Sequence, residues 1–248
     1  MIPWFQFTAI HLGPLTLYVW GIFAALGLLA GAWAAAGLAK ERGLDEKIIW
    51  DVAAVAAVAG IAGGRLFHVF FYAPAGYAAA PLSAFALWDG GISIIGSLLG
   101  ALTAVLVFLR KKNLPVLAYL DTATFGFPLG YAIGRVGCFL IHDHPGTLTH
   151  FVLGVKFPDG VRHDLGLYEA FNGLGLFLLF LLLKNRGAKP PTYAIAFLLW
   201  YGAVRFFLDF LRADDARYLF LTPAQYVSAV LCIAGAAWFA RRVSKNIA

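Results

Sequence analysis

Apolar residues run along this chain in seven long blocks separated by short polar connections, near residues 16–39, 48–72, 92–110, 116–140, 167–184, 192–212 and 223–240. Each block is close to the ~20 predominantly apolar residues that a helix needs to cross a hydrocarbon core. The pattern therefore predicts an all-α polytopic membrane protein with seven transmembrane helices. The first and last blocks are rich in alanine, which suits close helix packing. Between blocks four and five the pattern changes. "FVLGVKFPDGVRHD" places a short strand, VLGVKF, before the turn chemistry of PDG. The segment 141–166 is accordingly expected to form a small extracytoplasmic cap with a short β-hairpin. No internal repeat, low-complexity tract or linker divides the chain, so residues 1–248 read as one transmembrane domain with 141–166 as a loop region inside it.

Composition agrees: 61% of residues are hydrophobic and 13% charged, with mean hydropathy +0.79, well outside the range of ordinary soluble domains. The net charge of +6 is explained by its placement. Lys40, Arg42 and Lys47 follow block one, Arg110, Lys111 and Lys112 follow block three, Lys184, Arg186 and Lys189 follow block five, and Arg241, Arg242 and Lys245 follow block seven. With seven spans, those twelve of the nineteen basic residues lie on one side, which the positive-inside rule makes cytoplasmic. The N-terminus is then extracytoplasmic and the C-terminus cytoplasmic. This charge pattern reports topology, and no nucleic-acid partner is expected. The opening MIPWFQFTAI lacks the basic n-region of a cleavable signal, so block one is expected to remain as a span. Cys138 and Cys232 both sit in apolar blocks and do not make a disulfide framework.

The remaining basic residues point to chemistry. Arg65 and Arg135 lie toward the outer ends of blocks two and four, and Arg205 and Arg212 in the outer half of block six. An ionisable residue inside a span must face a partner or a water-filled cavity. Arg205 has Asp209 four residues on, and an internal pair is its favoured reading. Arg212 has no obvious local partner, since Asp214 and Asp215 lie too near the interface to neutralise it alone, and it reads as functional. Four arginines in the outer half of the membrane imply an anionic ligand at headgroup depth. Planar guanidinium forks match phosphate oxygens, and an acidic phospholipid is the anion already present there.

Five motifs, "GGRLFHVFFY" (63–72), "WDGGISIIGSLLG" (88–100), "GRVGCFLIHDHPG" (134–146), "RHDLGLYEA" (162–170) and "YGAVRFFLDFLRADD" (201–215), follow in the order and at the spacing of one family. Over nearly its whole length the chain resembles the prolipoprotein diacylglyceryl transferases. The resemblance implies a bacterial inner-membrane enzyme whose active site faces the outer leaflet and the periplasm. Such an enzyme moves the diacylglyceryl group of phosphatidylglycerol, or another anionic phospholipid, to the lipobox cysteine thiol of a prolipoprotein. It implies no cofactor and no metal. Arg135 and Arg212 match the family's phosphate-handling arginines, Gly134, Gly137 and Gly146 its signature glycines, and His163, Tyr168 and Glu169 its "RHPSQLYE" segment. Arg65 and Arg205 join these as expected headgroup contacts.

The departures are equally specific. Where the family has a histidine proposed as base, followed by two glycines, this chain has Ile95, Gly96 and Ser97, and the signature asparagines become Cys138 and Ile141. Trp20 stands for a tyrosine, while His142 and Asp143 replace a "GE" pair. His142 and His144 point the same way on a strand and diverge on a helix. One of the two is expected to be a relocated base, with Asp143 orienting a neighbour. A metal site drawing on His142, His144, Asp143, His150 or His163 and a plain interfacial cap are the competing readings. Cys138 reads either as a small buried hydrophobe or as a nucleophile that carries the lipid transiently. The same departures leave two alternatives to the family activity: transfer to a different acceptor, or phospholipid binding or translocation without catalysis.

Overall fold

The computed structural model describes residues 1–13, 15–87, 90–213, 215 and 217–247, with side chains described through Ser244; Trp88, Asp89 and Asp214, named above, lie outside the described residues. In chain order the elements are β1 (Ala9–Leu12), β2 (Leu15–Tyr18), α1 (Val19–Glu41), α2 (Glu46–Phe67) with a π-helical turn His68–Tyr72, α3 (Pro74–Ala79), a 3₁₀ turn Pro81–Phe85 and α4 (Ile94–Lys111). They continue as α5 (Val116–Ile141), β3 (Pro145–Leu148), β4 (Val155–Phe157), β5 (Gly160–Asp164), α6 (Leu165–Asn185), α7 (Thr192–Leu208) with a 3₁₀ turn Asp209–Leu211, and α8 (Pro223–Ile247). Among the described residues seven helical segments are long and apolar enough to cross a membrane, and they are the seven expected from the sequence. Block one starts later than its hydropathy indicates, because Leu15–Tyr18 pairs with Ala9–Leu12 as an antiparallel hairpin. Its ends are set by local chemistry: Gly13 takes φ +61 between the strands, and β2 runs directly into α1.

The chain forms two compact units, Ala39–Tyr119 and Met1–Leu38 with Leu120–Ala248. In the first, α2 and α4 pack on small residues: a Cβ on Gly63 would stand 2.6 Å from the Gly96 carbonyl oxygen. Asp45 caps α2 by accepting from the Lys47 amide at 2.9 Å, and Ser93 caps α4. In the second unit, α1 and α5 meet along a seam of Gly27, Gly31, Gly126 and Gly130. A Cβ on Gly31 would stand 2.9 Å from the Gly126 oxygen and one on Gly130 2.5 Å from the Gly27 oxygen. Small residues let backbones approach closely where lipid provides no hydrophobic drive between helices. Gly126→Leu is expected to force this seam apart and to lower the thermal midpoint in detergent by roughly 5–10 °C, the scale of core overpacking in a chain of this size.

Helix direction places two different environments at opposite ends of this unit. The C-terminal end of α1, the start of α5, the end of α6 and the start of α7 enclose Leu38, Phe125, Leu176, Phe180 and Tyr193, an apolar and aromatic cluster beside the basic connections. At the other end, the C-terminal turns of α5 and α7 and the second turn of α6 carry Arg135, Arg205 and Glu169. Over that end lies a three-stranded antiparallel sheet in the order β3-β5-β4. The expected hairpin is β4 with β5. Pro145–Leu148 forms an additional strand, with Pro145 opposite Asp164 and Leu148 opposite Arg162. The N-terminal segment joins the far edge: the Ile2 amide donates to Gly154 at 2.9 Å and the Lys156 amide donates to Ile2 at 3.0 Å.

Candidate active site

Six charged side chains of alternating sign form a continuous ladder. Arg135 Nε lies 2.7 Å from Glu169 Oε2, and Arg205 bonds the other oxygen of the same carboxylate through Nη1. Arg205 Nη2 reaches Asp209 Oδ1 at 3.1 Å; Arg212 Nε lies 3.4 Å from the same atom and its Nη1 3.0 Å from Asp215. The order is thus Arg135, Glu169, Arg205, Asp209, Arg212, Asp215. Glu169 and Asp209 are fully buried, whereas the three arginines retain 12–21% of their side-chain surface. Buried carboxylates hold the guanidinium groups in place while part of each stays open to an incoming anion, an arrangement that suits phosphate. Thr222 bonds the second oxygen of Asp209, and Gln225 and Thr222 bond each other at the start of α8, so the ladder is braced from behind.

This geometry corrects one expectation: Arg212 has local partners, Asp209 as well as Asp215. Glu169 is enclosed as the carboxylate shared by Arg135 and Arg205. The ladder also includes neighbours that the sequence reading passed over. Tyr131, one turn before Arg135 on α5, presents its ring face to the guanidinium at 5.1 Å, and Tyr201 meets Tyr131 edge-on with ring centres 5.7 Å apart. The signal was available as the i, i+4 spacing of an aromatic and an arginine.

The signature glycines have separate tasks. Around Gly134 a Cβ would meet nothing within 4 Å, so the helix face beside Arg135 is open. Gly137 instead admits Phe23 of α1, whose Cβ would lie 2.6 Å from an added methyl. Gly146 pairs with Arg212 as an antiparallel bridge, and a Cβ there would stand 2.7 Å from the Leu211 oxygen and 3.0 Å from His163 Cβ. The cap and the Arg212 segment can meet only without a side chain at this position. Arg162 fastens the same point by donating to the Gly146 oxygen at 2.9 Å, while its other nitrogens hold Asp159. Gly146→Ala is expected to displace Arg212 and to lower turnover at least about tenfold, the penalty of a misplaced positioning group, which kinetics on the purified variant would measure.

The two histidines of HDH part company. α5 ends at Ile141, and His142 takes φ +52 with its amide still donating to Cys138 at 2.9 Å. Its ring is completely buried, with Nδ1 2.6 Å from Asp164 Oδ2, inside a box of Trp4, Phe5, Phe139 and Phe157 whose ring centres lie 4.7–5.3 Å away. Asp164 also caps α6 by accepting from the Leu167 amide at 3.0 Å, and burial pushes its carboxyl above the usual range against the opposing effect of His142. His142 is therefore a fastener among the N-terminal segment, the end of α5 and the cap. It is not open to substrate. His144 is partly exposed and bonds Asp143 through Nδ1; that bond, and one to Cys138, raise its basicity against the effect of burial. Arg135 Nη1 lies 3.8 Å from Cys138 Sγ, which places the Cys138–His144–Asp143 group directly beside the ladder.

Two other expected residues have partners of their own. His163 Nδ1 lies 2.7 Å from the Tyr168 hydroxyl, on the cap side of Gly146, and burial lowers its basicity. Arg65 belongs to the unit Ala39–Tyr119, where its guanidinium bonds the carbonyls of Ser83 at 2.6 Å, Ala84 and Ala86 at 2.9 Å and Gly91 at 3.2 Å, as well as Gly90. It gathers residues 83–86 and 90–91 around one guanidinium.

A family model described as prolipoprotein diacylglyceryl transferase matches residues 7–241. The chain belongs to the prolipoprotein diacylglyceryl transferase family. Members similar to it include proteins named phosphatidylglycerol–prolipoprotein diacylglyceryl transferase from three bacteria. The one from Brucella canis is 34% identical over 261 residues, covering 94% of this chain and 91% of its own. The one from Wolbachia sp. subsp. Drosophila simulans is 33% identical over 238 residues and 90% of each chain. The one from Chromohalobacter salexigens is 32% identical over 239 residues, 92% of this chain and 89% of its own. This member of the family carries Cys138, Asp143 and His144 beside Arg135.

Proposed function

We propose that this protein transfers the diacylglyceryl group of phosphatidylglycerol to the lipobox cysteine of a prolipoprotein, releasing glycerol phosphate. The observation that carries this reading is the alternating ladder of three arginines and three carboxylates at one end of the helical unit, open beside Gly134. A thiolate attacks the glyceryl carbon, the carbon–oxygen bond to phosphate breaks, and negative charge accumulates on the departing glycerol phosphate. Arg135 and Arg212 are assigned to that charge, since donors aimed at where charge develops lower the barrier most. Arg205, between two carboxylates, holds the ladder in register. Arg65 is left outside the clamp because loop carbonyls take up its donors.

Activation of the acceptor thiol is assigned to His144 with Asp143, the accessible half of the HDH stretch. His142→Ala is expected to loosen the cap and lower stability, whereas His144→Ala is expected to cut turnover about a hundredfold or more with the fold retained, the scale of a lost proton-transfer group. Equal effects of the two substitutions on turnover and melting would remove the assignment. The location is read from charge: within the unit that carries the ladder, Lys184, Arg186, Lys189, Arg241 and Arg242 flank the helix ends opposite it, which supports an inner-membrane protein with this site on the periplasmic side. The test combines purified protein in phosphatidylglycerol-containing nanodiscs with a lipobox peptide and follows glycerol phosphate. Peptide-dependent release is the expected result. Release without peptide points to another acceptor, and lipid binding without release to a non-catalytic member.

A further inference from the structure

We infer that Cys138, Asp143 and His144 form a site for one thiophilic divalent cation, zinc by its chemistry, and that the cation takes the acceptor thiol as a further ligand. The inference rests on the transferase reading for the identity of that thiol, and it deepens the role of His144 with Asp143: with the cation bound they activate the thiol as ligands to the metal, in place of acting as a free base. Among the described residues these three are the group of metal-ligating side chains that the fold gathers, with one ligand atom from each within 4.8 Å of the others. They come from the last turn of α5 and the turn after it, so the backbone that orients Arg135 also orients them. His142 is excluded by its aromatic box. Tetrahedral zinc with sulfur at ~2.3 Å and nitrogen or oxygen at ~2.0 Å places its ligands roughly 3.3–3.5 Å apart, so the group need close by only about 1 Å. One thiolate and one carboxylate neutralise the dication, which leaves no excess charge to repel Arg135 at 3.8 Å from the sulfur.

The mixed sulfur, nitrogen and oxygen donor set suits a borderline-soft ion, and three protein ligands with an open position are the pattern of a catalytic site. Such an ion answers the chemical need left by Ile95: a bound thiol is deprotonated outright. The acceptor thiol gives its proton to solvent on coordination. Its sulfur lone pair then forms the carbon–sulfur bond as the glyceryl carbon–oxygen bond breaks, and the electron pair leaves on the phosphate oxygen of glycerol phosphate. The thioether product carries no charge and dissociates from the metal. A covalent role for Cys138 fails on the same chemistry, because diacylglyceryl attached to Cys138 would itself be a thioether, with no good leaving group for a second transfer.

The experiment uses the full protein in detergent, stripped with chelator and dialysed against cobalt(II) or zinc. One bound equivalent is expected, with a cobalt–thiolate charge-transfer band in the near ultraviolet. Cys138→Ser and His144→Gln are each expected to lose the band and at least about tenfold in affinity, the scale of a lost ligand or supporting group. Cys232→Ser, altering a thiol directed at the Leu199 carbonyl, is expected to keep both. Absence of a stoichiometric ion, or a band that persists in Cys138→Ser protein of native melting behaviour, overturns the site. Glycerol phosphate release assayed on the same samples separates the two readings. Full release from metal-free protein removes the cation and leaves the transferase, whereas one tightly bound ion with no release to any thiol peptide removes the transferase and leaves the site.

Discussion

Arg135→Ala and Arg212→Ala are each expected to lower diacylglyceryl transfer by about a hundred- to a thousandfold, the range for removing one preorganised donor to a developing anion. The two should act mainly on kcat, because charge on the leaving phosphate grows toward the transition state. Lysine replacements should recover little. Arg135 reaches Glu169 through Nε and leaves its remaining nitrogens toward Cys138 and the open side, and a single ammonium cannot serve both directions. Steady-state kinetics with phosphatidylglycerol and a lipobox peptide, on variants that purify as single species, would check this. Near-normal turnover in either alanine variant would sink the phosphate-clamp assignment.

The second large effect is expected at Glu169, and on stability as well as turnover. The three carboxylates of the ladder are not equivalent. Without Asp209, Arg205 keeps Glu169 and Arg212 keeps Asp215. Without Asp215, Arg212 keeps Asp209. Among the described ion pairs Arg135 has only Glu169. Glu169→Gln is thus expected to leave a largely buried guanidinium unpaired at a cost of about 3–5 kcal/mol, the range for breaking one side of a buried pair. Asp215→Asn should cost far less, since Asp215 is the most exposed of the three. Thermal unfolding in detergent would give the ranking, and equal midpoints for the two variants would show that the ladder is not the unit of stability described here.

These effects separate what was legible in the chain from what was not. The seven spans follow from block length alone, and all seven appear within a few residues of their expected bounds. The exception, Leu15–Tyr18, is apolar enough to belong to a span but is extended, since a hairpin partner nine or fewer residues upstream satisfies its backbone before α1 begins. Helical i, i+4 spacing along the sequence gives Arg212 no acidic partner. Residues 209–211 tighten into a 3₁₀ turn, and there i, i+3 side chains eclipse, which brings Asp209 against it. His142 and His144 could not be told apart by spacing. The left-handed backbone at His142 decides between them, sending one ring into the aromatic box and letting the other return to Cys138.

The sequence by itself determined the membrane class, the seven spans, and the arginine and glycine signature that the chain shares with its family. Those depend on composition, block length and residue order, all local to the chain. Tertiary structure alone decided that Glu169 joins Arg135 to Arg205, 34 and 36 residues away, that Asp164 fastens His142, and that Gly146 lets the cap reach Arg212. The reason is the low dielectric of the interior. A charge there must be paired, but which charge pairs with it is set by where separate helices bring their ends together, and no periodicity along the chain records that meeting.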